Sequence, residues 1–350
     1  MVLQAIGAIR MTTNVTAETR YYPNFDILRL LLAAEVVFDH ARYYLNPNSI
    51  WDAPVMAVPA FLAISGFLVL KSFGDSGSWL VFLRKRALRI LPALALSMVL
   101  CLFLFNWFAV YNSLLNWLTG GIYTLNGVAN GPLWSLAWEE LAYVLLAVLW
   151  ALGAYRKPWC IWALLVAALY VVHRGRHEDP HLQIILFLGP AFFTGNLMFL
   201  YRKALLKVNQ IIPWLFMAAC VFNGHIPVFN KLVAMSPVMF QSASIVWVGM
   251  AGLRIIPFKF PDLSYGIYIY HVPIILFLIG NGWVTSGYSM ALLLSFPLIG
   301  LSVASWYLVE KPALRLKNLR HEQNRHAIPP VAVGTDIGEQ RLMHRAHEAM

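Results

Sequence analysis

Hydrophobic positions along this chain come in long blocks, each broken by a short polar or turn-rich stretch. Ten blocks can be drawn, at 27–45, 54–72, 90–109, 133–152, 159–173, 182–200, 211–225, 232–250, 264–280 and 289–308. Most approach the ~20 mostly apolar residues that a helix needs to cross a bilayer. The fifth and seventh blocks are the shortest. Between blocks lie breakers that end helices: "NPN" at 46–48, "GDSGS" at 74–78, "NGVANGP" at 126–132 and "NGHIP" at 223–227. No internal repeat is evident. The pattern predicts an all-α polytopic membrane bundle of about ten transmembrane helices. It divides the chain into a cytoplasmic N-terminal segment at 1–24, a membrane domain at 25–315 and a polar, mobile cytoplasmic tail at 316–350.

Composition supports this reading and removes others. The 350 residues are 60% hydrophobic and only 12% charged, with a mean hydropathy of +0.65. A soluble domain of this length needs more polar surface. The net charge of +10 would suggest nucleic acid in a soluble protein, but here the basic residues fall in loops. With ten spans and a cytoplasmic N-terminus, 21 of the 26 basic residues lie on the cytoplasmic side. Four lie opposite, and Arg29 sits inside the first span. The positive-inside rule then gives both termini in the cytoplasm. No cleavable signal peptide is expected, because the first 20 residues are weakly apolar. Cys101, Cys160 and Cys220 lie in separate apolar blocks and read as packing residues.

Several blocks carry polar groups that lipid alone does not explain. "LRLLLAAEVVFDH", 28–40, places Arg29 and His40 eleven residues apart. That separation is within about 20° of three full turns, so the two share a face about 16 Å apart along the axis. Asp26, one turn earlier, can pair with Arg29. An ionisable group inside a membrane costs a few kcal/mol or more unless it is paired or faces water, which makes it a functional candidate. The alternative is plainer: Arg29 snorkels to headgroups and His40 makes one interhelical hydrogen bond.

"FLRKRALRILP", 82–92, reads as a basic loop leading into the third span. Its Arg86 and Arg89 lie on one face. A guanidinium fork suits phosphate, although cytoplasmic loops are basic in any case. "GPLWSLAWEELAYVLL", 131–146, opens the fourth span. Ser135, Glu139 and Tyr143 form a polar stripe there, and Glu139 and Glu140 are adjacent carboxylates within an apolar helix. "SYGIYIYHVP", 264–273, sets Ser264, Tyr268 and His271 on one face as candidate substrate contacts. Packing and interfacial anchoring are the alternative for them. Pro273 should disturb the hydrogen bond to the carbonyl of Ile269 and allow a kink. Ser65–Gly66, in mid-helix, reads as a site of close helix approach.

The order and spacing of these motifs resemble the membrane acyltransferase-3 family of carbohydrate O-acyltransferases. The resemblance is carried by "FDILRLLLAAEVVFDH" with its Arg-x10-His pattern, "SGFL", "RKRALRILP", "LWSLAWEELAY", "SYGIYIYHVP" and the terminal "LVEKPALR", from residue 25 to 315. The surroundings of the acidic pair depart from the family pattern at Trp138, Leu141 and Ala142. The resemblance implies an acyl-CoA donor, usually acetyl-CoA, entering from the cytoplasm. It implies a sugar hydroxyl as acceptor, on a cell-surface or lipid-linked glycan. By the family pattern, Arg29, His40, Arg86, Arg89 and Glu139 are the functional positions.

The expected mechanism makes His40 the general base and has Glu139 orient it or hold the acceptor. Arg86 and Arg89 hold the donor's phosphates, with Arg29 along the path. Direct transfer is preferred to an acyl-His40 intermediate, since no second nucleophile stands out. The expected partners are acyl-CoA, the carbohydrate acceptor, the lipid bilayer and, where the chain self-associates, a second copy in a homodimer. Neither nucleic acid nor metal is expected. The expected location is the cytoplasmic membrane. The rival reading is a glycan or ion transporter whose path is lined by the same charges.

Overall fold

A computed structural model describes residues 22, 24–46, 55–76, 78–123, 127–174, 180–221, 237–251, 261–284 and 286–316. The N-terminal segment and the tail expected from the sequence lie almost wholly outside these residues. So do the whole turn at 223–227 and parts of those at 46–48 and 126–132. The described residues are helical, with no strand among them. The main helices are α1 (Asn24–Leu45), α2 (Ala57–Gly74), α3 (Trp79–Leu104), α4 (Trp107–Leu118), α5 (Trp134–Ala151), α6 (Pro158–Arg174), α7 (Pro180–Leu200), α8 (Ile212–Val221), α9 (Pro237–Met250), α10 (Ser264–Gly280) and α11 (Gly287–Ser305). The last continues through a π turn, Trp306–Glu310, to Leu316.

Ten of these helices correspond to the ten apolar blocks. Four are long and apolar enough to cross a membrane: α2, α3, α5 with its preceding 3-10 turn, and α11 with its extension. α6, α8, α9 and α10, and the Ile184–Leu200 part of α7, contribute shorter apolar stretches of 10–17 residues. α1 has 22 residues, which is length enough. Its apolar run is interrupted by Asp26, Arg29, Glu35, Asp39 and Arg42.

Two local differences from the sequence reading have clear causes. The basic stretch 82–92, expected as a loop, belongs to α3. Arg, Lys, Ala and Leu are all strong helix formers, so the residues before Pro92 favour a helix, which continues past that proline. The helix then stops at Leu104, earlier than expected, because Asn106 starts α4. Its side chain accepts a hydrogen bond from the Ala109 amide at 2.9 Å, the usual N-cap device.

α10 is the buried hub. Twelve consecutive residues, Ser264 to Ile275, are all buried, against α1, α3 and α11. Pro273 removes the amide that would have bonded the Ile269 carbonyl. The Asn130 side chain donates to that carbonyl instead, at 2.9 Å, so the helix keeps its acceptor satisfied. α2 and α7 pack backbone to backbone. A Cβ on Gly66 would sit 2.4 Å from the Phe192 carbonyl oxygen, and one on Gly195 would sit 2.1 Å from that of Ala63. Close approach at Ser65–Gly66 is therefore a property of the fold.

Candidate functional site

Four helices put polar positions around one cavity of about 580 Å³, counting its open mouth. α1 contributes Arg29, and α2 contributes Phe61 and Ser65. α5 contributes Ser135 and Glu139, and α10 contributes Ser264 and Tyr268. On α2, α5 and α10 these residues lie about one turn apart, so they line up along the helix axes. Arg29 and Ser264 mark one end of the cavity. Ser135, Phe61 and Tyr268 mark the other.

The Arg29 end is ionic. Asp262, just before α10, receives Nη1 of Arg29 at 2.9 Å and Nη2 of Arg89 at 2.5 Å on one oxygen. The Ser264 hydroxyl donates to the other at 2.6 Å. Burial alone would raise the Asp262 carboxyl, but Arg29, Arg89 and the Ser264 hydroxyl hold it well below the usual carboxylate range. Glu310, from the π turn after α11, lies 4.0 Å from Arg89 and accepts from Ser305 at 3.0 Å. The Arg89 guanidinium also faces the rings of Tyr265 and Trp306. Two arginines thus meet two carboxylates inside the bundle. The sequence suggested Asp26 as the partner of Arg29; Asp26 does act electrostatically on the guanidinium, and Asp262, 233 residues away, adds a direct ion pair.

Arg86 is differently placed. One guanidinium nitrogen donates to Ser72 at 3.0 Å, and the group lies against the rings of Phe82 and Tyr143. Its Nε is buried without a hydrogen-bond partner. Tyr143 donates to Glu139, and Ser65 donates to the same carboxylate oxygen at 2.5 Å. The stripe read from α5 therefore diverges. Tyr143 and Glu139 bond each other, while Ser135 meets the Tyr268 hydroxyl at 2.7 Å.

The histidines stand beyond Tyr268. His271 lies three residues further along α10, about 4.5 Å up the axis. It is fully buried and does not line the cavity. Its Nδ1 is 2.8 Å from the Tyr268 carbonyl, and its Nε2 is 3.3 Å from Nδ1 of His40. His40 Nδ1 is also 2.9 Å from the Val36 carbonyl. A carbonyl only accepts, so each Nδ1 carries its proton. His40 Nε2 is then left with its lone pair. The hydrogen-bond partner beside His40 is His271, while Glu139 bonds Ser65 and Tyr143.

The eight residues singled out from the sequence thus separate into groups. Arg29, Glu139, Ser264 and Tyr268 border the cavity. Arg89 joins Arg29 at Asp262, and His40 and His271 pair. Arg86 stands behind Glu139, joined to it through Tyr143. Sequence reasoning missed Asp262, Ser65 and Glu310. Asp262 stood two residues before a motif already singled out, and Ser65 was read only as a small packing residue. Among the described residues, no cluster of three His, Cys, Asp or Glu side chains could hold a metal.

Comparison with known proteins adds a family profile described as an acyltransferase domain (Acyl_transf_3), which matches residues 22–311. Nodulation protein 10 of Rhizobium leguminosarum bv. viciae is 28% identical over 84% of this chain and 94% of its own length. An O-acetyl transferase of Shigella phage Sf6 is 29% identical over 82% of this chain and 94% of its own. No solved structure gives a significant match.

Proposed function

We propose that this chain, which belongs to the acyltransferase-3 family, moves an acetyl group from cytoplasmic acetyl-CoA to a hydroxyl of a carbohydrate at the cell surface or on a lipid carrier. The observation that carries the reading is the cavity bordered by Glu139, Ser135 and Tyr268, beyond which His40 presents an Nε2 lone pair. The phage relative named an O-acetyl transferase supports acetyl as the transferred group.

In this reading His40 Nε2 removes the proton from the acceptor hydroxyl as its oxygen attacks the thioester carbonyl. The carbon–sulfur bond breaks, and the departing thiolate recovers the proton from His40. The products are an acetyl ester and free CoA. Ser135 and Tyr268 offer hydroxyls to the acceptor. Glu139, fixed by Ser65 and Tyr143, takes hydrogen bonds from its other hydroxyls. The donor's phosphates lie at the basic start of α3, which the excess of positive loops assigns to the cytoplasm. Arg86 is the better phosphate ligand, because it has donor capacity that Arg89 has committed to Asp262. The spacing of about 16 Å between Arg29 and His40 suits a long donor arm whose thioester reaches inward.

The test is release of free CoA from acetyl-CoA by purified protein supplied with surface glycan. The expected result is acceptor-dependent thiol release with an acetyl ester on the glycan. Glycan or ion movement without thiol release would replace the enzyme with a transporter.

A further inference from the structure

We infer that His271 is a positioning residue that holds His40 in the tautomer and orientation a general base requires. The inference rests on the reading of His40 as the base. The motivating geometry is a relay of two rings across α1 and α10, whose centroids lie 5.0 Å apart at 60°. The Tyr268 carbonyl, 2.8 Å from His271 Nδ1, forces the proton onto that nitrogen. His271 Nε2 must then be an acceptor. It faces His40 Nδ1 at 3.3 Å, where the Val36 carbonyl already accepts at 2.9 Å.

The Nδ1–H of His40 therefore points between two acceptors, and neither could be satisfied by the other tautomer. With its proton fixed at Nδ1, His40 can take a substrate proton only at Nε2. When it does so, the resulting imidazolium still has both acceptors on its Nδ1–H. Val36 lies on the same helix as His40 and follows its backbone. His271 is the contact that ties the ring to another helix. It is fully buried and held by a helix that is buried along this stretch, so its position is firm. A fully buried polar side chain with both nitrogens engaged is costly to place by chance.

Two isosteric half-substitutions separate this role from a structural one. His271→Asn keeps a donor near Nδ1 for the Tyr268 carbonyl but cannot reach His40. His271→Gln carries an amide oxygen to the place of Nε2, where it can accept from His40. Steady-state acetyl transfer and thermal stability are measured for both, beside wild type and His40→Ala. The expected result is that His271→Asn loses kcat by about tenfold, the lower end of the effect of a hydrogen bond to a charged group. KM for acetyl-CoA and stability stay near wild type, and His271→Gln recovers most of the loss. Recovery by His271→Asn but not His271→Gln would overturn the inference in favour of a cap on the Tyr268 carbonyl. Full activity in both variants, or losses in both that follow only the folded fraction or persist with folding intact, would also overturn it. Failure of wild type to release CoA would instead overturn the acyltransferase reading, and an active His40→Ala would overturn the base assignment.

Discussion

The ionic end of the cavity and the histidine pair beyond its other end solve the same problem in opposite ways. At one end, charges are brought into the bundle and balanced: Arg29 and Arg89 against Asp262, with Glu310 behind. At the other, His40 and His271 are held by carbonyls and by each other. A buried ion pair must have its partners or the fold suffers. A neutral imidazole with one nitrogen fixed keeps the other available. In the proposed reading the ionic end is structural and the histidine pair transfers the proton, although both stem from the polar face of one helix, α1. It also separates two arginines three residues apart on α3. Arg89 serves the ionic end, and Arg86 is left for a ligand.

The largest effect should come from the histidine end. His40→Ala is expected to remove about 10²–10⁴-fold of turnover, the usual contribution of a positioned acid–base group. Acetyl-CoA binding and melting temperature should stay near wild type. A melting temperature that collapses along with activity would make His40 part of the scaffold.

Next in size is the ionic end. Asp262→Ala leaves two partly buried arginines facing each other across a lost carboxylate, so it should destabilise the protein by about 3 kcal/mol, the lower end for breaking a buried pair, read in detergent by thermal unfolding. The folded state holds this carboxyl below its unfolded value of about 3.9. Its contribution is thus complete above about pH 5 and is lost only as pH falls toward the folded value. Wild-type stability should therefore be insensitive to this group between about pH 5 and 8. Unchanged melting of Asp262→Ala would remove the structural role assigned to the cluster.

Arg86→Ala should weaken acetyl-CoA binding by about 1.5–3 kcal/mol, the range for hydrogen bonds to charged groups, with little effect on the acceptor's KM. Titration of acetyl-CoA by calorimetry checks it. Equal donor affinity in wild type and variant would mean that Arg86 serves only to pack against Tyr143. The smallest effect is expected from Asn130→Ala. That change strips the substitute donor from the Ile269 carbonyl and should cost about 1 kcal/mol in stability. Since Ile269 lies one residue after Tyr268 and two before His271, a modest loss of kcat should accompany it.

Much of the frame was legible in the sequence, because apolar length is a local property. Each of the ten blocks has its helix, and the unusual polar content of α1 stood out against them. What was not legible was long-range or too short to register. α4 has only twelve residues and hid in the margin of the third block. The basic start of α3 looked like a loop because charge was taken as a sign of solvent, whereas its residues favour helix. Asp26 could be seen beside Arg29 because sequence shows neighbours; Asp262, which makes the direct ion pair, is brought to it only by the packing of α10 on α1. The His40–His271 contact joins residues 231 apart, and nothing in either helix alone points to the other. Ser65 was judged by size, and its hydroxyl matters only because Glu139 stands opposite.

The division of labour between the two ends is tested most directly by acetyl transfer per folded molecule in Asp262→Asn protein, at saturating acetyl-CoA. The substitution keeps shape, removes the charge at the ionic end and leaves both histidines untouched. A rate within a few-fold of wild type, in a protein that melts earlier, is the predicted result. A loss as deep as that of His40→Ala, with the folded fraction accounted for, would contradict the account by placing the Asp262 cluster in the chemistry itself.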